Sequence, residues 1–215
     1  MALTAQERQE INELAQQFEA ATGAQAVAAI VGKADDYPDI PWKAFALGAV
    51  LAALAVGGDG FIRPAWASLH TPLRDVAVIL VAGVLCCVAA ISIPAFGRLF
   101  LNRDRARAEV RQYAQGIFLQ REVFATAERV GIVILVARFE RRIVILPDRG
   151  IARHVSAREL DEIIAVMAPH LAQAQPVQAF RSGFDALDAL LKTKGVQPVR
   201  HGNELADGAV IEDSA

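Results

Sequence analysis

The stretch "ERVGIVILVARFERRIVILPDRG", residues 128–150, contains two aliphatic runs on either side of the charged segment "RFERR". Each run is too short to cross a membrane, but each has the length and aliphatic content of a buried strand. Pro147 closes the second run, because proline has no N–H to donate to a sheet ladder. The stretch therefore predicts a β-hairpin with strands at 131–138 and 142–147.

Two longer apolar segments predict a pair of membrane-crossing helices. The segment "VAVILVAGVLCCVAAISIPAF" (76–96) has 21 residues and no charge, which is the length that a membrane-spanning helix needs. The segment "PWKAFALGAVLAALAVGGDGF" (41–61) has a shorter apolar core of about 15 residues. Beside the second segment, the first is best interpreted as its partner in a helical hairpin.

The basic residues near these segments predict an orientation. The loop that connects the two segments holds only Arg63 and Arg74, and Trp42 and Trp66 suit the two membrane interfaces. The basic residues on the outer flanks are Lys33, Lys43, Arg98, Arg103, Arg105, Arg107 and Arg111. The positive-inside rule then places both termini in the cytoplasm. The N-terminal segment is charged and lacks the apolar core of a secretory signal.

The remaining segments predict helices and one further strand. "TAQE" at Thr4 and "SARE" at Ser156 are capping boxes, each of which opens a helix. Apolar spacing predicts further helices at 103–126 and about 177–192. "AQAVAAIVG" (24–32) reads as a buried strand, parallel to 131–138.

These elements predict an α/β fold, a Rossmann-like sandwich with a mixed sheet, interrupted by a two-helix transmembrane hairpin. The two parts of the α/β domain are residues 1–36 and 98–192, and the hairpin is residues 41–96. Residues 193–215 lack periodicity and are expected to be a flexible tail.

Composition and motifs exclude several classes of function. The net charge is −2, which gives no basic signature for nucleic acid, and no nucleic-acid partner is expected. Cys86 and Cys87 are adjacent inside an apolar run, so they suit neither a disulfide framework nor a metal site. The sequence contains neither a P-loop nor a G-x-S-x-G motif.

Several motifs together resemble those of the TPM-domain family, whose name refers to thylakoid, photosystem and acetylcholine-receptor-modulator members. They are "LTAQERQEI", "TGAQAVAAIV", "GIVILVA" and "ERRIVILPDRGI", and the tail "HGNELADG" is also similar. The pattern looks most like the membrane-anchored bacterial branch, which implies a location in the bacterial inner (cytoplasmic) membrane. The resemblance also implies a Rossmann-like sandwich, a divalent metal such as calcium or magnesium, and phosphatase activity, as reported for some members.

The acidic cluster of that family is depleted here. Many members read Asp-Asn-Gly before the strand, where this sequence reads Arg129-Val130-Gly131. A later turn, Asp148-Arg149-Gly150, retains one carboxylate. Asp148 is therefore the candidate catalytic residue, and Glu128 and Asp148 are the candidate metal ligands. A calcium site wants six to eight oxygen ligands, so the residues themselves predict no cofactor.

Two groups of basic residues are candidate binding sites. Arg149, Arg153 and His154 precede the helix that starts at Ser156, whose free N–H groups would favour a phosphate or an acidic peptide. The alternative is an ordinary turn with surface side chains. Arg138, Arg141 and Arg142 lie in the hairpin turn, at the sheet edge expected to face the membrane, where anionic headgroups would attract them. The alternative there is a solvated turn.

Three hypotheses about function follow. The first is an integral membrane protein whose cytoplasmic α/β domain is a non-catalytic binding or scaffold module, with the lipid bilayer and another membrane or cytoplasmic protein as partners. The second is a metal-dependent phosphatase centred on Asp148. The third is a sensor of anions or lipid headgroups that uses the arginine-rich edges. The depleted acidic cluster favours the first.

Overall fold

Two separate parts of the chain build one α/β domain. The computed structural model describes residues 3–62, 70–126, 128–195 and 210–212. The α/β domain comprises Met1–Ala34 and Arg107–Ala215. Asp35–Ala106 form a second unit, called here the hairpin unit.

The described helices and strands follow the predicted order, with a few additions. In chain order they are α1 (Ala5–Thr22), β1 (Gln25–Val31), α2 (Asp39–Ile62), α3 (His70–Ser92), α4 (Pro94–Gly97), α5 (Arg103–Gln120), β2 (Gly131–Ala137), β3 (Arg142–Pro147), α6 (Arg149–Ala152), α7 (Ala157–Ala172), α8 (Pro176–Thr193) and β4 (Val210–Glu212). Two 3₁₀ turns lie at Arg98–Phe100 and Val123–Ala125.

The sheet is mixed and has the strand order β3-β2-β1-β4 among the described residues. β1 and β2 are parallel, with Gln25 opposite Gly131 and Val31 opposite Ala137. β3 is antiparallel to β2, and its last residue, Pro147, lies opposite Ile132. The predicted mixed sheet and β-hairpin are therefore confirmed.

Helices cover both faces of the central strands. On one face, alternate residues of β1 and β2 such as Ile30 and Ile134 share a core with apolar residues of α1, α7 and α8. On the other face, Val31 and Leu135 share a core with apolar residues of α5. All seven residues of β1 and all seven of β2 are buried, which explains why both strands read as continuous apolar runs.

Both predicted capping boxes are present. The Thr4 hydroxyl accepts a hydrogen bond from the N–H of Glu7, and the Glu7 carboxylate accepts one from the N–H of Thr4. Gly23 ends α1 in the left-handed region, with φ of 69°. These local signals fix where α1 begins and ends, because they satisfy backbone groups that have no partner inside the helix.

The structure differs from the sequence-based expectations at two places in the domain. The helix predicted at 103–126 ends at Gln120, because Glu122 adopts a left-handed conformation with φ of 50° and a 3₁₀ turn follows. The tail expected to be flexible contains β4, which pairs in parallel with β1. β4 satisfies backbone groups along the outer edge of β1. The strand was not predicted because its three residues are too few to show periodicity. The rest of the tail from residue 196 lies outside the described residues.

The hairpin unit holds two helices that are long and apolar enough to cross a membrane. The apolar spans are Asp39–Asp59 and Pro72–Ser92, each of 21 residues. The second helix ends at Ser92, earlier than predicted, because Pro94 forces Ile93 into an extended conformation. The connecting loop, with Arg63 and Trp66, lies outside the described residues.

The two helices of the hairpin unit approach closely at glycines. A Cβ atom on Gly48 would lie 2.6 Å from the carbonyl oxygen of Ala82, and one on Gly83 would lie 2.7 Å from the ring of Phe45. The close packing that small residues permit is thus made between α2 and α3 of one chain.

Candidate functional site

Asp148 lies beside the N-terminal end of β2. Within the described part of the chain, it is the one acidic residue retained from the expected cluster. Its N–H donates to the carbonyl oxygen of Gly131 over 2.8 Å. Its side chain caps α6 by accepting a 2.7 Å hydrogen bond from the N–H of Arg149. Asp148 is only 4% exposed, so its carboxylate depends on protein partners rather than on bulk water.

The main partner of this carboxylate is Arg129. Its Nε lies 2.7 Å from Oδ2 of Asp148, and its second guanidinium nitrogen, Nη2, lies 3.1 Å from Oδ1. This is the bidentate arrangement in which arginine binds carboxylates most strongly. Arg129 is itself held, since its N–H donates to the carbonyl oxygen of Thr126 and its guanidinium lies 5.9 Å from the ring centre of Phe124.

Two glycines allow the backbone segments of this edge to meet. A Cβ on Gly150 would lie 2.5 Å from the carbonyl oxygen of Glu128 and 2.6 Å from that of Arg129. A Cβ on Gly131 would lie 2.2 Å from the carbonyl oxygen of Val123. Glycine at these positions therefore serves close approach of the backbone, which places Arg129 beside Asp148.

The predicted anion-binding residues lie at the N-terminal end of α7 and in the segment just before it in the chain. Arg149, Arg153 and His154 are exposed. The Ser156 hydroxyl accepts from the N–H of Glu159, while the Glu159 carboxylate accepts from the N–H of Ser156. The N-terminal end of α7 thus already has an anionic partner in its own chain.

Glu159 is strongly stabilised in its charged form. Lys194, whose Nζ lies 2.6 Å away, and then the N–H and hydroxyl of Ser156 lower the pKa of Glu159 from its usual 4.5 to about 2. The contact with Lys194 also connects the start of α7 to the end of α8. An external anion at this helix end would have to compete with a carboxylate that stays ionised at neutral pH.

The donors at the Asp148 edge do not fit a divalent metal. Glu128 is exposed, and both oxygens of Asp148 are already bonded to Arg129. The described residues contain no group of three or more acidic, histidine or cysteine side chains that could hold a metal ion. A guanidinium occupies the position beside Asp148 that a cation would need.

The β2–β3 turn lies at the other end of the strands, away from Asp148. The N–H of Arg138 donates to the carbonyl oxygen of Val31, so this turn lies at the C-terminal end of β1. Glu140 is buried and its Oε1 accepts a 2.8 Å hydrogen bond from the N–H of Ala34. Arg141 is exposed, whereas Arg138 and Arg142 are half-buried.

Comparison with known proteins supports the family resemblance. Residues 100–190 match the family model of the TPM domain. A TPM domain is therefore present at residues 100–190. The BA42 protein from the psychrophilic bacterium Bizionia argentinensis, solved by NMR, is similar in fold: its TM-score is 0.55 at 14% identity, over 98% of this chain and 95% of that one. At that identity the likeness concerns the fold alone. No curated protein matches.

Within this TPM domain, sequence reasoning identified Asp148 but not its partner. The sequence showed Arg129 only as a departure from the Asp-Asn-Gly pattern of the family, and the structure shows it bonded to the carboxylate itself. One signal was available: Arg129 stands where the family resemblance places the acidic residue of Asp-Asn-Gly. Glu140, which lies in the same hairpin turn as the three predicted membrane-surface arginines, was not singled out, and it is buried.

Proposed function

We propose that this protein is an integral membrane protein whose TPM domain is a non-catalytic binding or scaffold module for a complex at the membrane or cell envelope. The proposed location is the bacterial inner membrane, with two crossings and both termini in the cytoplasm. The lipid bilayer and another membrane or cytoplasmic protein are the proposed partners.

The exposure of the two apolar helices supports the membrane part of the proposal. Only 17% of the apolar window in α2 and 11% of that in α3 is buried. A core helix of a water-soluble protein would be mostly buried, because exposed aliphatic side chains are costly in water. Trp42 is 73% exposed near the start of α2, where it suits a membrane interface.

The observation that carries the non-catalytic assignment is the ion pair between Arg129 and Asp148. A carboxylate that acts on a phosphate ester needs a free oxygen or a metal, and both oxygens of Asp148 already bind a guanidinium. The anionic substrate would also have to approach a buried carboxylate. This geometry disfavours the phosphatase hypothesis.

Hydrolysis of a phosphate ester tests this assignment. The full chain in detergent would be assayed on p-nitrophenyl phosphate with magnesium, manganese, calcium or EDTA, beside Asp148→Asn and a control variant of the exposed Arg181 on α8, Arg181→Gln. We expect no metal-dependent turnover above that of Asp148→Asn. Turnover that Asp148→Asn abolishes and Arg181→Gln retains would establish the phosphatase instead.

Extraction and topology measurements test the membrane part. The chain should remain in the membrane pellet after alkaline carbonate washing, and detergent should release it. Reporter fusions at the two termini should both be active on the cytoplasmic side. Release by carbonate, or reporters on opposite sides, would contradict the two-crossing arrangement.

The hairpin turn is the proposed contact with lipid headgroups. Arg138, Arg141 and Arg142 lie at the end of the sheet from which the chain leaves β1 and, after seven residues, enters α2. Each basic side chain near an anionic membrane surface contributes about 1 kcal/mol. Replacing the exposed Arg141 by glutamine should reduce the protection of the hairpin turn from proteolysis in anionic nanodiscs but not in neutral ones. Equal protection in both lipids would contradict this contact.

A further inference from the structure

We infer that the guanidinium of Arg129 takes the place of a divalent cation at Asp148, so that this edge of the TPM domain is held together without metal. The inference goes beyond the proposed function, because it concerns how the domain is stabilised and not what it binds or hydrolyses. It rests on three independent features of the edge.

The first feature is the engagement of both oxygens of the Asp148 carboxylate by the protein. Oδ2 accepts from Nε of Arg129, and Oδ1 accepts both from Nη2 of Arg129 and from the N–H of Arg149. These bonds fill three of the roughly four lone-pair positions that a carboxylate offers. A metal ion would have to displace the guanidinium, since the two cations would compete for the same oxygens.

The second feature is the backbone conformation of Arg129. Its φ is 56°, in the left-handed region that favours glycine, asparagine and aspartate. Arginine has no intrinsic preference for this conformation, so its contacts offset the strain. They are the backbone hydrogen bonds with Thr126 and Gly150, the ion pair with Asp148 and the ring of Phe124 beneath the guanidinium.

The third feature is the poverty of the oxygen donors. Glu128 is exposed, and the described part of the chain holds no acidic cluster that could complete a metal coordination sphere. Calcium prefers six to eight oxygen ligands, and magnesium needs a near-ideal octahedron. Because the guanidinium of Arg129 supplies the positive charge beside Asp148, no such coordination sphere is needed.

The test is thermal unfolding of the full chain in detergent, followed by circular dichroism, with calcium, magnesium or manganese chloride or with EDTA. The wild-type chain should have the same Tm in all four solutions. Arg129→Asp should have a lower Tm in EDTA, and calcium at high concentration should recover part of the loss, because aspartate suits the left-handed position and the added carboxylate beside Asp148 attracts a cation whose remaining ligands are water. A ligand that binds only the folded state raises Tm in this way.

Two further variants keep the test decisive. Arg129→Asn removes the guanidinium without reversing its charge, so it serves if Arg129→Asp does not fold; its Tm should also be lower than that of the wild type. Arg149→Asn removes the exposed arginine that follows Asp148 in the chain. This variant should have the same Tm as the wild type, both with and without calcium.

Three results would overturn the inference. They are a wild-type Tm that rises with a divalent cation and falls in EDTA, an Arg129→Asn chain as stable as the wild type, and an Arg129→Asp chain that folds but ignores every cation. None of these readouts involves hydrolysis. The inference and the proposed non-catalytic function can therefore fail separately.

Discussion

Gly150→Ala should destabilise the domain by pushing apart the backbone segments that carry Arg129 and Asp148. The added Cβ would lie 2.5 Å and 2.6 Å from the carbonyl oxygens of Glu128 and Arg129, where ordinary contacts begin at 3.4 Å. The two segments must therefore separate by about 0.8–0.9 Å, since neither oxygen belongs to a side chain that could rotate away.

The magnitude follows from three contributions. Overpacking of this kind costs about 1–3 kcal/mol. The 2.8 Å hydrogen bond from the N–H of Gly150 to the carbonyl oxygen of Arg129 would be weakened, at a cost of about 1 kcal/mol. Alanine in place of glycine in a helix offsets about 0.5–1 kcal/mol. The net loss is about 2 kcal/mol, which lowers Tm by about 4–8 °C in a domain of this size.

Circular dichroism of the full chain is the suitable assay. Tryptophan fluorescence would report on the wrong unit, because Trp42 and Trp66 both lie in the hairpin unit. Gly116→Ala is the matched control: it is also a helical glycine in the chain, and its Cβ would meet nothing within 4 Å. The control should be unchanged or more stable by up to about 1 kcal/mol. A Gly150→Ala chain as stable as the wild type would refute the reasoning, and so would an equal loss in both variants.

Three other changes have calculable consequences. The pKa of Glu159 is lowered in the folded chain, so the stability that its charged form contributes is complete above about pH 4.5 and is lost as pH falls through about 2. The Tm difference between the wild type and Glu159→Gln should therefore shrink over that pH range. A difference that stays constant with pH would contradict this prediction. Ser156→Ala removes the N-cap of α7 and should cost about 1 kcal/mol by chemical denaturation, whereas Ala157→Ser beside it should cost little. Gly48→Leu should disrupt the α2–α3 contact and lower the Tm in detergent, while Gly58→Leu, where a Cβ meets nothing within 4 Å, should not.

The sequence was sufficient for most of the fold because the signals for those elements are local. Capping boxes at Thr4 and Ser156 mark helix starts by residue type and spacing alone. The length of an aliphatic run separates a strand such as β2 from a membrane-crossing helix such as α3. β4 escaped notice because its position depends on the free edge of β1, which no property of residues 210–212 reveals.

The candidate site was only partly predictable because it depends on backbone geometry. Arg129 and Asp148 are 19 residues apart, and their contact requires the antiparallel register of β2 and β3 and the left-handed conformation of Arg129. The sequence showed only that Arg129 replaces an acidic residue of the family pattern. That it would bond the carboxylate directly could be learned only once the turn before β2 was placed against α6.

The parallel pairing of β1 with β2 restricts how the intervening segments can cross a membrane. Gln25 lies opposite Gly131, so residues before and after the hairpin unit belong to one sheet and must lie on the same side. A single crossing would place the two strands on opposite sides of the membrane. This is incompatible with the sheet, in which all seven residues of each strand are buried. Only an even number of crossings is compatible with the sheet. Both helices that are long and apolar enough to cross a membrane lie between the two strands, so the two crossings proposed above satisfy this condition.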